Sequence, residues 1–296
     1  MSYQDEIRSQ VNEKLIAAMS QGKIPWVKPW SAAKNTGHPA NASTGKLYRG
    51  INPLLLQLAA LDKGYGSKHW ATYRQWQALD GQVRKGEKGT RIIFWSPIKT
   101  TRTNGDGEEV QKTFPLLREY TVFNAEQCDG SERFQVEHGD SSAVVDFEPA
   151  EKVIQATNAD IRHIPGDKAC YVRPPHDYIV LPTKDQFVQG PLGLPSYYST
   201  TFHELLHWSE SRLGWTGTYS LGELRAELGS CYMAAEVGIP TAENVENHAS
   251  YLDLWIKAMK ADSKVIFQIC SAASKGADLV LSFSRQPQPE EEMVAA

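Results

Sequence analysis

Five consecutive residues constrain this chain more than any others: His203-Glu204-Leu205-Leu206-His207, set in the stretch Tyr197–Glu210. An H-E-x-x-H spacing makes chemical sense on an α-helix, where positions i and i+4 lie on one face. Two imidazoles can then reach one metal ion, with Glu204 beside them as a base. Zinc takes nitrogen ligands in an open tetrahedral site whose remaining position binds water. The metal lowers that water's pKa, and the glutamate accepts its proton during attack on a carbonyl. The same five letters also fit a helix with two unrelated histidines, so the surrounding sequence has to decide.

Two histidines leave a zinc ion short of ligands. The residues after His207, Trp208-Ser209-Glu210-Ser211-Arg212, offer no third histidine. A glutamate on a second helix is the other solution. Ser220-Leu221-Gly222-Glu223 reads as a capping box, with Ser220 as N-cap and Glu223 at N3. That gives Glu223 local work, or a role orienting His203 or His207 from outside the ligand set. Glu227, one turn further on the same face, is therefore the expected third ligand. The reverse assignment, with Glu223 as ligand, is the alternative. His163, His176 and His248 are isolated and read as structural. Zinc is the expected metal, and a histidine–carboxylate set also accepts manganese or cobalt.

Charge separates this region from the rest. Residues 1–125 hold 18 Lys/Arg against 10 Asp/Glu, and residues 126–296 hold 13 against 25. A basic half attracts polyanions and an acidic half repels them. At 296 residues the chain has room for about two domains. The expected fold class is α+β with two domains: 1–128 as an α+β nucleic-acid-binding domain, 129–148 as a linker, 149–285 as a zincin-like domain, and 286–296 as a disordered tail. Acidic, turn-prone letters such as Asp129-Gly130-Ser131-Glu132 mark the linker. No apolar run reaches the ~20 residues of a membrane span, and the polar N-terminus carries no secretory h-region. Four scattered cysteines form neither a zinc knuckle nor a disulfide scaffold. These features predict a cytoplasmic protein with no membrane partner.

Five of the eight tryptophans precede residue 96, interleaved with cations. Aromatic faces stack on unpaired bases while cations follow phosphates, as single-stranded nucleic acid requires. The better stacking candidates are Trp30, Tyr48, Trp70 and Tyr73, beside polar or basic segments; two or three of the five tryptophans belong to the core. Arg49, Asn52, Arg74, Arg84, Lys85 and Lys88 complete the expected DNA-binding set. The front half lacks clustered carboxylates for two magnesium ions, which argues against a primase or nuclease.

Several stretches together resemble a known family. Trp26–Trp30, Tyr48-Arg49-Gly50-Ile51-Asn52, Trp70-Ala71-Thr72-Tyr73-Arg74-Gln75, Val83-Arg84-Lys85-Gly86-Glu87-Lys88-Gly89 and Val122-Phe123-Asn124-Ala125-Glu126-Gln127-Cys128 resemble the N-terminal domain of ArdC antirestriction proteins. Related domains occur in TraC-type primases. Tyr197-Tyr198-Ser199-Thr200-Thr201-Phe202-His203-Glu204 and Glu223-Leu224-Arg225-Ala226-Glu227-Leu228-Gly229 resemble that family's zincin-like C-terminal domain. Gly222 is a departure, where the family often has another glutamate. The resemblance implies a single-stranded-DNA-binding domain joined to a metallopeptidase-like one, and a role in protecting plasmid DNA that enters a restricting host during conjugation. The alternative it leaves open is a working metallopeptidase that cleaves a host restriction or DNA-processing factor, with DNA binding as a localising device.

Overall fold

The computed structural model describes residues 3–26, 35–103, 109–136, 146–189, 193–239 and 245–285. Side chains are described throughout except at 95–103, 109–115 and 245–250. Trp30 and the 286–296 tail lie outside the described residues. The chain divides into two compact units, Met1–Glu13 with Ala33–His138, and Lys14–Ala32 with Gly139–Ala296.

The chain opens with α1 (Tyr3–Met19), in which Ile7, Val11, Leu15 and Met19 recur at helical spacing. The first unit continues with β1 (Ala40–Asn41), α2 (Asn52–Lys63), β2 (His69–Ala71), α3 (Tyr73–Ala78), β3 (Gln82–Val83), β4 (Thr90–Thr103), β5 (Glu109–Asn124) and β6 (Cys128–Asp129). Its main sheet has the order β1-β2-β5-β4. β1 runs parallel to β2, and β4 and β5 form a long antiparallel ribbon, from Thr90 opposite Val122 to Thr103 opposite Glu109. Leu56, Ala59 and Ala60 of α2 pack with Trp70, Ile92 and Val122 into one core cluster.

Three local outcomes differ from the sequence reading. The letters from Trp70 to Trp76 read in the sequence as the start of a short helix, but Trp70 sits in β2 and the helix starts after Thr72. The Thr72 hydroxyl accepts from the Gln75 amide, and Gln75 returns the bond to the Thr72 backbone, a capping box that fixes the start. Asn52 before Pro53 reads as the N-cap of a helix; its amide instead clamps β4, donating to Ile93 O and accepting from Ile93 N, each at 2.8 Å. Residues 129–136 were expected to belong to a linker, yet they fold with the first unit. β6 pairs with β3, and the buried Ser131 Oγ lies 2.6 Å from Ala125 O and 2.8 Å from Cys128 O. Small polar letters that mark a loop also make tight, internally bonded turns.

The second unit takes in residues 14–32, which were expected with the first domain. Leu15, Ala18, Met19 and Trp26 are buried, and the Trp26 ring meets Trp255 at 5.8 Å. Beyond it come α4 (Glu148–Ala156), β7 (Asp160–His163), β8 (Cys170–Val172), β9 (Tyr178–Leu181), α5 (Lys184–Gln189), α6 (Gly193–Arg212), α7 (Tyr219–Val237), α8 (Val245–Ala261) and α9 (Val265–Ser282). The small sheet has the order β7-β9-β8, with β8 and β9 antiparallel and β8 at one edge. α6, α7 and α9 cross closely. A Cβ on Gly229 would stand 2.4 Å from Leu206 Cδ1, and one on Gly276 2.5 Å from the same atom. A larger residue at either position would force the buried Leu206 side chain to move. α9 is long and apolar enough to cross a membrane by composition; Ile266, Ile269, Cys270, Ala273, Ala277 and Val280 on it are buried in the unit.

Candidate metal centre

Helix α6 carries the H-E-x-x-H residues, and α7 faces it. What sets α7 against α6 is Arg225, a fully buried cation. Its guanidinium donates to Leu206 O and to Ser209 Oγ, both at 2.7 Å. Burial pushes its pKa down to about 10. This clamp fixes which carboxylates of α7 look at the histidines.

The Nε2 atoms of His203 and His207 lie 3.1 Å apart. The Glu223 carboxylate completes a triangle, with one oxygen 3.4 Å from His203 Nε2 and the other 3.4 Å from His207 Nε2. A tetrahedral shell with zinc–nitrogen distances of about 2.0–2.1 Å separates neighbouring donors by about 3.3–3.4 Å. The three side chains therefore fit a small divalent cation without rearrangement, and they are the metal-ligating group found among the described residues.

By distance, Glu223 and not Glu227 is the α7 glutamate grouped with the two histidines. Glu223 does not cap the helix: the residue at the N-cap is Thr218, and α7 already begins at Tyr219. With its carboxylate released from local work, Glu223 stands in the ligand position. Glu227, the expected third ligand, lies 3.5 Å from Nδ1 of His203, the ring nitrogen on the other side. That geometry orients His203 and leaves Nε2 pointing at Glu223.

His207 has an equivalent partner that the sequence reading missed. Its Nδ1 lies 2.9 Å from Glu210 Oε1, and Arg173 donates to Glu210 Oε2 at 2.9 Å. Glu210 follows His207 by three residues on α6, so i,i+3 spacing carried the signal. His207 thus has a carboxylate hydrogen-bonded at Nδ1, an arrangement that fixes ring tautomer and orientation in metal sites, while Glu227 stands as a longer ion-pair contact beside Nδ1 of His203. A Cβ on Gly222 would lie 3.3 Å from Glu210 Oε1.

Electrostatics follow this anionic surround. Burial opposes protonation of His207, yet Glu210 and Glu223 raise its pKa to about 9. Burial likewise opposes protonation of His203, and Glu223 and Glu227 outweigh it. Burial raises Glu223 in turn, but the two histidines hold it far below the usual carboxylate range. Glu204 is nearly fully buried, which raises its pKa. The Tyr171 backbone amide of edge strand β8 faces it. Four carboxylates, Glu204, Glu210, Glu223 and Glu227, surround two imidazoles, against two arginines among the named groups, Arg173 and Arg225. Such a set suits a cation.

In the first unit the DNA-binding candidates scatter between core and surface. Trp70 is 1% exposed and belongs to the core, as do Trp26 in the second unit and Trp76. Trp70 cannot offer a stacking face, because β2 lies inside the sheet against α2. Tyr48 is half-buried against that same cluster, and its hydroxyl donates to Trp70 O at 3.3 Å. Arg49 is half-buried, and Asn52 is committed to Ile93. Tyr73, Arg74, Arg84, Lys85 and Lys88 are exposed. The Arg84 guanidinium pairs with Glu87 at 3.1 Å.

The N-terminal domain of the anti-restriction factor ArdC matches residues 5–123, and a zincin-like metallopeptidase domain matches residues 148–275. The crystal structure of the antirestriction ArdC protein from plasmid R388 superposes with a TM-score of 0.75 at 36% identity, covering 94% of this chain and 97% of that one. The chain belongs to the ArdC antirestriction family. A Mn(II)-bound structure of the R388 ArdC protein superposes with a TM-score of 0.73, at 35% identity over 95% of this chain and 99% of that one. A DNA primase TraC of Escherichia coli is 38% identical over 95% of this chain, which spans 28% of that primase's length. The uncharacterized protein y4eC of Sinorhizobium fredii (strain NBRC 101917 / NGR234) is 33% identical over 92% of this chain and 91% of its own length. The ArdC family thus accounts for both units in one chain, with the H-E-x-x-H helix inside the zincin-like region.

Proposed function

We propose that this ArdC family member binds single-stranded DNA through its first unit and protects conjugating plasmid DNA from restriction in a recipient cell. The second unit would hold one divalent metal on His203, His207 and Glu223, with Glu227 and Glu210 orienting the two rings. The observation that carries the reading is the division of chemistry: exposed Arg74, Arg84, Lys85 and Lys88 in one unit, and a three-donor site ringed by carboxylates in the other. The four cysteines are free thiols, as suits a reducing cytoplasm.

When bound, a divalent cation supplies a Lewis acid and lowers the pKa of a coordinated water. The chain's own residues do the rest. Glu204, buried next to the donor histidines, is placed to hold a proton on its carboxylate. Glu210 and Glu227 keep the Nε2 atoms turned inward. Mn(II) accompanies the related R388 protein, and the donor set here takes zinc, manganese or cobalt.

A second reading is a working metallopeptidase acting on a host protein. The burial of Glu204 against edge strand β8 favours it, because an extended peptide can add to a free sheet edge. Conjugal transfer into a restricting recipient separates the two. With Glu204→Ala, transfer efficiency equal to wild type supports protection by binding. Loss of protection with single-strand affinity intact supports proteolysis.

A further inference from the structure

Trp70, the stacking candidate among the described tryptophans of the first unit, is a core residue, so exposed aromatic faces have to be sought elsewhere in that unit. Among the described residues they lie on the β4–β5 ribbon. Phe94 is 56% exposed and Tyr120 42% exposed. Their ring centroids are 6.1 Å apart at an interplanar angle of 86°. Phe94 is directly opposite Arg118, and Tyr120 opposite Ile92. Residues opposite each other in an antiparallel pair share a face, and so do residues two apart on one strand. Phe94, Arg118 and Tyr120 therefore occupy one face of the ribbon, and Arg118 is exposed there.

The position of this face is fixed. Ile92 and Val122, along the same register, anchor the ribbon in the core with α2. Asn52 at the start of α2 clamps the backbone of Ile93, the neighbour of Phe94. The aromatic pair is thus carried on a braced strand, not on a loop tip. The charge is complementary to a polyanion: Arg118 is the exposed charged group beside the two rings, and Glu119 turns to the opposite face, where it pairs with Arg91 at 3.6 Å. The other exposed tyrosines of the unit are committed differently. Tyr3 donates to Glu119 at 3.2 Å, and the Tyr73 hydroxyl accepts from Gln82 at 2.9 Å.

We propose that the Phe94–Tyr120 face of the β4–β5 ribbon is a base-stacking site for single-stranded nucleic acid, with Arg118 pairing to a phosphate beside the stacked base. This rests on the reading of the first unit as a single-strand binder. The edge-to-face arrangement of the rings leaves flat aromatic surface for an unpaired base. A duplex keeps its bases stacked inside and gains nothing from these rings.

The test is fluorescence anisotropy of a labelled oligothymidylate, and of a labelled duplex, with the full chain and its Phe94→Leu, Tyr120→Leu and Arg118→Gln variants. Leucine keeps an apolar side chain at an exposed strand position, and melting curves check that the fold is retained. The expected result is a loss of oligothymidylate affinity of tenfold or more in each leucine variant, about the size of one lost stack. Duplex affinity should change little, and Phe94→Trp should restore the wild-type value. Arg118→Gln should reduce the slope of log K against log salt by about 0.7. Wild-type oligothymidylate affinity in a folded Phe94→Leu/Tyr120→Leu double variant would overturn the proposal and leave the aromatic pair to a protein partner. Absence of oligothymidylate binding by the wild-type chain would overturn the single-strand reading itself.

Discussion

Glu210 holds His207 and Arg173 at the same time, through different oxygens, at 2.9 Å each. The glutamate side chain is 5% exposed and the arginine 65%. An arginine at the surface thus fixes a buried carboxylate, which fixes an imidazole, which presents Nε2 to His203 and Glu223. Glu210→Gln keeps the shape of this chain of contacts but removes the charge. Metal affinity should fall by about 10–100-fold, read by competition with a chromogenic chelator. Arg173→Met should fall less, since an exposed partner contributes little by itself.

Arg225→Met removes two hydrogen bonds from a buried cation and leaves Leu206 O and Ser209 Oγ inside without them. The expected cost is about 2–4 kcal/mol, seen as a lower urea midpoint for the second unit. Because Arg225 sets α7 against α6, the variant should also bind metal more weakly in buffer without denaturant. A variant that loses stability while retaining full metal affinity would show that Glu223 is placed by something other than this clamp.

Acid should weaken the first unit before the carboxylates titrate. Burial lowers His38 to about 4, despite the bond between its Nε2 and Tyr48 O at 2.9 Å. Burial lowers His69 to about 4 as well. An unfolded histidine takes its proton near 6.5. Between these values the unfolded chain binds more protons, so stability is fully present above about pH 6.5 and declines as the pH falls towards 4. The slope is at most about 1.4 kcal/mol per pH unit for each ring. Urea midpoints for wild type and His38→Gln between pH 7 and 4 should converge, the wild type losing stability faster. Parallel curves would contradict the burial of an uncharged ring.

The helices of the second unit were legible because their apolar spacing is strong and H-E-x-x-H admits no other element. The choice between Glu223 and Glu227 was not. Both lie on one face of α7, and which one meets Nε2 depends on the rotation of α7 against α6. That rotation is set by Arg225, whose buried role cannot be read from a charged letter in a helix. Ser220 looked like a cap because capping boxes are local patterns; here the helix starts two residues earlier, at Tyr219, and Thr218 takes the N-cap position. Aromatic exposure was the other gap. Trp70 and Phe94 both lie on strands beside cations, and only strand order and register put one in the core and the other on the surface. Glu210 was legible in principle, three residues beyond His207.

The most direct test is the metal content of three purified full-length chains after loading with Mn(II) or Zn(II) and desalting: wild type, Glu223→Gln and Glu227→Gln. The account predicts about one equivalent per chain for wild type, near-complete loss for Glu223→Gln, and binding that is weakened but retained for Glu227→Gln. Retention by Glu223→Gln with loss in Glu227→Gln would contradict it and return the third ligand to Glu227.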